Sequence, residues 1–394
     1  MFDSALISRF KGVSTPFYYY DLGLLENTLR RLCQESKRQD FAVHYAVKAN
    51  TNDKVLSVIQ SSGLGADCVS GNEIKKAIES GFSEKQIVFA GVGKSDAEIN
   101  LALDAGIFCF NCESEQELEV INGLALKRGK QARIALRINP NVNANTHHYI
   151  TTGLDENKFG INIPDLNEVI QKLRGLSNLQ LIGIHFHIGS QITDLATFKN
   201  LCTRINDLQH YFEKQHLVLR HINVGGGLGI NYHEPDKEAI PDFANYFSVF
   251  GEFLERRPGQ EIHFELGRSV VGQCCSLISR VLYVKKGVAT RFAILDAGMT
   301  ELIRPALYQS YHKIENISSP YRSVGAEYNG KDLIKYDVVG PICESSDCFG
   351  KSVELPETLR GDLLALRSAG AYGEVMASNY NLREKAPSVY SGTI

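Results

Sequence analysis

The sequence predicts an α/β protein in which a (β/α)8 barrel of the TIM type is followed by a C-terminal β-sandwich-like domain. Eight short apolar segments recur between residues 41 and 266, and the gaps between them carry apolar residues at helical spacing. Strands that alternate with helices indicate parallel βα units, and eight such units fit a barrel of about 250 residues. After residue 268 the helical spacing stops, while strand-like segments continue between Gly, Pro and Ser turns. An open doubly wound sheet remains the alternative, because counting segments does not prove closure.

The predicted boundaries place the barrel at 25–268 and the β domain at 269–394, with the N-terminal segment 1–24 joining the β domain. The predicted barrel strands are 41–47, 66–69, 87–90, 108–110, 133–138, 182–188, 221–224 and 261–265. Helices are predicted at 72–81 and at 114–123, where Ser114 and Glu117 fit a capping box. The predicted strands of the β domain are 16–21, 270–284, 292–295, 335–339 and 363–366.

Composition argues against several classes of function. The 394 residues include 42 basic and 45 acidic side chains, for a net charge of -3, and 43% of the residues are hydrophobic. These values are typical of a globular protein and disfavour disorder and a nucleic-acid partner. No apolar stretch approaches the roughly 18–20 residues that cross a bilayer, so no membrane partner is expected. Nine scattered cysteines, an odd number, predict reduced thiols and a cytoplasmic location.

The candidate chemistry lies where the predicted strands end, because barrel enzymes carry their reactive groups at the carboxyl ends of the strands. Strand seven runs into a glycine run at 225–229, and strand eight runs into Glu265-Leu-Gly-Arg268. Glycines let backbone N–H groups approach a phosphate, and the arginine adds positive charge. Strand one ends at Lys48, a candidate Schiff-base lysine. A lysine and a phosphate cradle are what pyridoxal phosphate (PLP) requires, and Glu265 would pair with its ring nitrogen.

Strand six carries His185 and His187, which share one face because they are two residues apart. This spacing also suits metal ligands, so a metal-dependent hydrolase with Asp67 and Glu265 as further ligands is a rival hypothesis. Under the PLP hypothesis, His187 stacks on the cofactor ring, Ser190 bonds the phosphate and His185 is a packed histidine.

Several motifs together resemble the fold-type III PLP-dependent decarboxylases, whose alanine-racemase-like barrel is followed by a β-sandwich domain. The motifs are YAVKAN at 45–50, HFHIGSQ at 185–191, GGGLG at 225–229 and ELGR at 265–268. Within the family, the chain is most similar to the enzymes that convert meso-2,6-diaminopimelate to L-lysine and CO2, the last step of lysine biosynthesis. The motifs that point to this group are HHYITTG at 147–153, KFGI at 158–161, IRPALY at 303–308, GPICES at 340–345, GAY at 370–372 and SNYN at 378–381.

The resemblance implies a role for each matching residue. Lys48 would hold the cofactor aldehyde, and Cys343 would deliver the proton to the product. The implied cofactor-binding residues are Lys48, Asp67, His187, Ser190, Gly227, Glu265, Gly267, Arg268 and Tyr372. The implied substrate-binding residues are Arg268, Arg304, Tyr308, Glu344 and Tyr372. In this family Cys343 and Glu344 reach into the partner's barrel, so the resemblance also implies a homodimer with shared active sites.

The residue types agree with a substrate that has both a carboxylate and an ammonium group at its far end. Arg268 and Arg304 can grip a carboxylate, and Glu344 can pair with an ammonium group. An ornithine-type substrate carries only a distal ammonium group, which two arginines would repel. A decarboxylase of another basic amino acid or of carboxynorspermidine is the nearest alternative. A non-catalytic PLP-binding protein is less favoured, because such proteins lack a β domain. The family usually has proline where this chain has Leu266.

Overall fold

The computed structural model describes residues 2–142, 158–318 and 333–393 of the chain. These residues divide into two compact units. The barrel unit comprises residues 28–229 and 242–270, and the β unit comprises residues 1–27, 230–241 and 271–394. The segment 230–241, which the predicted boundaries place within the barrel, therefore belongs with the β unit. Its placement depends on long-range packing that no local sequence pattern encodes.

The chain begins with helix α1 (Ser4–Phe10) and strand β1 (Phe17–Tyr20), which belong to the β unit. The described residues of the barrel unit then contribute nine parallel strands. These are β2 (Phe41–Ala46), β3 (Gly65–Cys68), β4 (Ile87–Phe89), β5 (Cys109–Cys112), β6 (Ala132–Asn139), β7 (Ile161–Asn162), β8 (Leu179–His185), β9 (His221–Asn223) and β10 (Glu261–Leu266).

The barrel is closed. Its strands follow the order β5-β4-β3-β2-β10-β9-β8-β6, and β5 also pairs with β6 to complete the ring. The two-residue strand β7 lies outside this ring and pairs with β6. Closure confirms the predicted barrel and contradicts the open-sheet alternative. Each of the eight predicted strands overlaps one strand of the ring, because apolar runs bounded by turns are a strong signal for buried parallel strands.

Helices alternate with the barrel strands, and the first of them, α2, precedes β2. They are α2 (Leu22–Arg38), α3 (Asp53–Ser61), α4 (Gly71–Glu79), α5 (Asp96–Ala105), α6 (Glu115–Lys127), α7 (Leu166–Leu173), α8 (Ala196–Lys214), α9 (Phe243–Phe253) and α10 (Arg268–Val271). Among the described residues, no helix is both long and apolar enough to cross a membrane. The predicted capping box of α6 is half formed, since Ser114 accepts from the Glu117 N–H. The Glu117 carboxylate does not accept from the Ser114 N–H; it accepts from the Glu113 N–H instead and pairs with the buried Lys94 ammonium.

The β unit contains a mixed sheet that confirms the predicted β domain. After β1, its strands are β11 (Cys275–Lys286), β12 (Arg291–Leu295), β13 (Ile314–Asn316), β14 (Ile334–Val339), β15 (Cys348–Leu355), β16 (Leu363–Leu366) and β17 (Ser388–Tyr390), and helix α11 spans Arg304–Tyr308. Strand β1 pairs antiparallel with β11 and parallel with β17. The prediction that a strand begins at residue 270 is wrong, because α10 precedes β11. A short apolar run does not distinguish a helical turn from a strand.

Candidate active site

Lys48 lies at the carboxyl end of β2, in a single 3-10 turn that spans Val47–Ala49. Its Nζ lies 2.7 Å from Oδ2 of Asp67, which belongs to the neighbouring strand β3 and is fully buried. Burial is the main cause that raises the pKa of Asp67, and the nearby Glu265 carboxylate raises it further, against the opposing effect of Lys48. Among the described residues, Asp67 Oδ1 has no hydrogen-bond partner. The pair thus presents an amine and a spare carboxylate oxygen at the barrel mouth.

Glu265 on β10 is buried and receives hydrogen bonds from three other barrel strands. Asn111 Nδ2 and Asn223 Nδ2 donate to Oε1, at 3.0 and 2.7 Å. His185 Nε2 lies 2.9 Å from Oε2. Burial on its own would raise the pKa of Glu265, but His185, followed by Lys48 and His187, outweighs burial and holds the pKa below its usual range. The carboxylate is therefore held ionised in the barrel interior.

Two of these three donors, Asn111 and Asn223, are not predicted from the sequence, and the third, His185, is predicted only as a packed histidine. Asn111 and Asn223 belong to no recognisable motif, although each is a polar residue near the carboxyl end of a predominantly buried strand, β5 or β9. For His185 a signal was present, since the two-residue spacing from His187 places both side chains on one strand face.

His187 remains neutral at physiological pH. Loss of hydration is the largest cause that lowers the pKa of His187 to about 3, and the charges of Arg137 and Lys48 contribute further. The backbone N–H of Gly226 donates to His187 Nδ1 at 3.4 Å, which requires an unprotonated nitrogen there. A neutral imidazole fixed by the glycine loop is suited to stacking on a flat ring.

The loop after β9 approaches its neighbours so closely that only glycine fits. A Cβ atom at Gly226 would lie 1.9 Å from the Glu265 carbonyl oxygen, and Gly227 adopts a left-handed φ of +103°. Near this loop, a terminal nitrogen of Arg268 donates to Ser190 Oγ at 3.0 Å. Backbone N–H groups, a hydroxyl and a guanidinium group together form a cradle suited to a phosphate.

In the β unit, three tyrosine rings surround the buried Arg304. Its Cζ lies 5.8 Å from the ring centre of Tyr232, 6.0 Å from that of Tyr308 and 5.9 Å from that of Tyr372. Tyr372 has a left-handed φ of +57°, a strained conformation that the surrounding structure must hold in place. The structure therefore brings together three of the predicted substrate-binding residues.

The remaining predicted residues of the β unit, Cys343 and Glu344, lie between β14 and β15. The Cys343 thiol is exposed. Ser346 Oγ donates to Glu344 Oε2 at 3.1 Å, and a hydrogen bond to Glu344 raises the pKa of Tyr380. The motif at 147–153 lies outside the described residues. Among the described residues, no group of three or more His, Cys, Asp or Glu side chains is arranged to hold a metal ion.

A barrel whose strand ends present a lysine, an ionised carboxylate and a glycine cradle defines a class of cofactor-dependent enzymes. Residues 22–272 match the family model described as "Pyridoxal-dependent decarboxylase, pyridoxal binding domain". The chain is 58% identical to a diaminopimelate decarboxylase of Bacteroides thetaiotaomicron over 96% of each chain. It is 42% identical to that of Neisseria meningitidis, over 96% of this chain and 88% of the relative.

Solved structures show the same similarity to diaminopimelate decarboxylases. A diaminopimelate decarboxylase from Helicobacter pylori, complexed with L-lysine, superposes with a TM-score of 0.88 at 37% identity. The match covers 98% of this chain and 94% of the other. The chain belongs to the diaminopimelate decarboxylase family of pyridoxal-dependent decarboxylases, and it is therefore an enzyme of the carboxy-lyase type.

Proposed function

We propose that this enzyme decarboxylates meso-2,6-diaminopimelate to L-lysine and CO2, with PLP as its cofactor. The observation that carries the proposal is the convergence of Lys48, Glu265 and the 225–229 glycine loop at the strand ends of one closed barrel. The similarity to diaminopimelate decarboxylases over nearly the whole chain supports the choice of substrate.

The residues at the barrel mouth fit PLP. Gly226 leaves no room for a side chain, so backbone N–H groups can reach the phosphate, and Asp67 Oδ1 is a buried acceptor with no partner among the described residues. We assign cofactor binding to Lys48, Asp67, His187, Ser190, Gly227, Glu265, Gly267, Arg268 and Tyr372. When bound, PLP supplies an electron sink for the electron pair that remains when CO2 departs.

Each residue at the barrel mouth has a distinct task. Lys48 Nζ is the amine that would bind the cofactor aldehyde, and Asp67 holds that amine in place through the 2.7 Å contact. Glu265, held ionised, would pair with a protonated ring nitrogen. His187, held neutral, would pack against the ring without adding a charge that opposes the protonated nitrogen.

The proton that replaces CO2 on the substrate carbon comes from Cys343. Its thiol is exposed in the single chain, as a group that serves a neighbouring subunit would be. We propose that the enzyme is a homodimer in which Cys343 and Glu344 of each subunit complete the partner's site. We further propose that residues 25–268 supply most of the cofactor contacts, that residues 269–394, with 1–24, supply most of the substrate contacts, and that the enzyme works in the cytoplasm.

Substrate selection depends on charge at the end of the molecule that does not react. Arg268 and Arg304 bind the distal carboxylate, Glu344 binds the distal ammonium group, and Tyr308 and Tyr372 complete the contacts. Arginine suits this role because its planar guanidinium group can donate two parallel hydrogen bonds to a carboxylate. A substrate without that carboxylate would leave buried cations without an anion, which costs free energy.

The test is incubation of the purified enzyme with PLP and meso-diaminopimelate, alongside ornithine, arginine and lysine, with product detection by mass spectrometry. We expect lysine from diaminopimelate alone and no product from Lys48→Ala. Decarboxylation of ornithine or arginine in preference to diaminopimelate would refute the proposed substrate. Full activity of Lys48→Ala would refute the assignment of Lys48.

A further inference from the structure

Arg304, the first residue of α11, is 6% exposed and donates hydrogen bonds to His312 and Ser310. Its Nε donates to His312 Nε2 at 3.4 Å, and a terminal nitrogen donates to Ser310 Oγ at 3.2 Å. The Tyr232 ring contacts both partners, because its centre lies 5.8 Å from Arg304 Cζ and 5.2 Å from the His312 ring centre. Arg304 and His312 are thus held in one packed group.

The contacts of His312 determine its tautomer. Its Nδ1 lies 2.9 Å from the backbone carbonyl oxygen of Arg367, which can only accept a hydrogen bond, so Nδ1 carries the proton. Its Nε2 faces Arg304, which can only donate, so Nε2 carries none. His312 is therefore a neutral imidazole with its proton on Nδ1. Any other protonation state would place two donors or two acceptors face to face.

The carbonyl that determines this tautomer is itself anchored. The Arg367 side chain makes two hydrogen bonds to Asp236, at 2.6 and 3.1 Å, and one to Glu315 at 2.7 Å. The hydrogen bonds from Arg367 are the main cause that holds the pKa of Asp236 well below its usual range. Asp236 and Tyr232 both belong to the segment 230–241. This segment therefore supplies both the aromatic ring that contacts Arg304 and His312 and the carboxylate that holds Arg367.

We propose that His312, supported by the segment 230–241, is a positioning residue that aims the Arg304 guanidinium group at the distal carboxylate of the substrate. The inference rests on the proposed function, because it takes Arg304 as a ligand of that carboxylate. Nε of Arg304 donates to His312, so a carboxylate would meet the guanidinium group at its terminal nitrogens, one of which also donates to Ser310 Oγ. A guanidinium group that turned freely would lose this bidentate geometry.

The kinetic test compares ligands that differ only at the distal carboxylate. Because the reaction converts the meso compound to L-lysine, the carboxylate retained in L-lysine is the distal one, and 1,5-diaminopentane is L-lysine without that carboxylate. We expect His312→Leu to raise KM for meso-diaminopimelate and Ki for L-lysine about 10-fold, with kcat changed less than about 3-fold and Ki for 1,5-diaminopentane unchanged. His312→Gln, which keeps a donor and an acceptor, should restore part of the loss. The exposed His210 of α8, in the barrel unit, offers a control, and His210→Leu should leave all four constants unchanged.

The tautomer is tested without turnover, by ¹⁵N NMR of the wild-type histidines, with His312→Gln identifying the resonance. We expect a proton on Nδ1 and none on Nε2. A proton on Nε2, or equal weakening of L-lysine and 1,5-diaminopentane binding in His312→Leu, would overturn this inference while the proposed function stands. A wild-type enzyme that leaves meso-diaminopimelate intact would overturn the proposed function, and the substrate role of His312 with it. If His312→Leu does not fold, His312→Gln and the NMR measurement still decide.

Discussion

His185 Nε2 lies 2.9 Å from Glu265 Oε2 in the barrel interior, where both side chains are almost completely buried. This contact joins a histidine of β8 to the carboxylate that we assign to the cofactor ring nitrogen. Two asparagine side chains donate hydrogen bonds to the other carboxylate oxygen, Oε1. Three side chains together therefore fix the orientation of Glu265.

Removal of His185 should destabilise the fold strongly. Glu265 has a lowered pKa, so its ionisation stabilises the fold above about pH 4.3, the ordinary value, and this contribution is lost as pH falls through the lowered folded value. His185→Leu removes the main interaction that offsets the burial of the Glu265 carboxylate. We therefore expect the free energy of unfolding at pH 7, measured by urea unfolding, to fall by about 3–5 kcal/mol. A matched exposed pair, His210 and Glu255 at 3.8 Å, should contribute about 0–1 kcal/mol when His210→Leu is made. Equal losses in the two variants would contradict this assignment.

Glycine at position 226 should be indispensable. In Gly226→Ala the new Cβ would lie 1.9 Å from the Glu265 carbonyl oxygen, so the backbone of the loop or of β10 must move. We expect PLP affinity, measured by fluorescence titration, to fall at least about 10-fold, because displaced N–H groups no longer converge on the phosphate. Gly123, inside α6, has open space where a Cβ atom would lie, and Gly123→Ala should instead stabilise by about 0.5–1 kcal/mol. Unchanged PLP affinity in Gly226→Ala would exclude the loop as the phosphate site.

Acid should destabilise the barrel through a buried histidine pair. His44 Nε2 lies 2.8 Å from His263 Nδ1, and burial, followed by the His263 charge, lowers the pKa of His44 to about 4. The unfolded chain therefore binds a proton at about pH 6.5 that the folded chain takes up only near pH 4. Stability should fall as pH decreases through this window, by up to about 1.4 kcal/mol per pH unit from this group.

Chemical denaturation at about pH 4.5, 5.5, 6.5 and 7.5 measures that slope. His44→Gln should reduce it, even if the variant is less stable at every pH. His210→Gln, at an exposed site, should keep the wild-type slope. A wild-type slope in His44→Gln would show that other groups cause the acid sensitivity.

Shared active sites can be tested by mixing inactive variants. Lys48→Ala and Cys343→Ala should each lose most of their decarboxylase activity. Subunit exchange between equal amounts of the two should restore about a quarter of wild-type activity, because half of the dimers are mixed and each of these has one complete site. The measurement is lysine formation after exchange in mild denaturant. No recovery, with mixed dimers present by native mass spectrometry, would indicate that each site uses residues of one subunit.

The amino-acid sequence by itself determined the barrel strands and the strand-end positions of Lys48 and Glu265. Both depend on local patterns, since apolar runs between turns predict strands and parallel strands present their carboxyl ends at one face. The shift from helical spacing to strand-like segments after residue 268 likewise predicted the β domain. The predicted start of β11 was wrong, because residues 268–271 form a helical turn whose apolar run is equally compatible with a strand.

Only the tertiary structure decided which side chains meet in the barrel interior. Asn111 reaches Glu265 because the sheet curls into a ring that closes between β5 and β6, and Asn223 and His185 reach it because β9 and β8 follow β10 in the sheet order. No spacing along the chain encodes this strand order or its closure. The same holds for the segment 230–241, whose Tyr232 and Asp236 lie in the β unit although the surrounding sequence is barrel. The local pattern of apolar and turn residues specifies the helices and strands, whereas contacts between residues distant in sequence depend on how these elements pack. Those contacts set the charge state of Glu265 and the tautomer of His312.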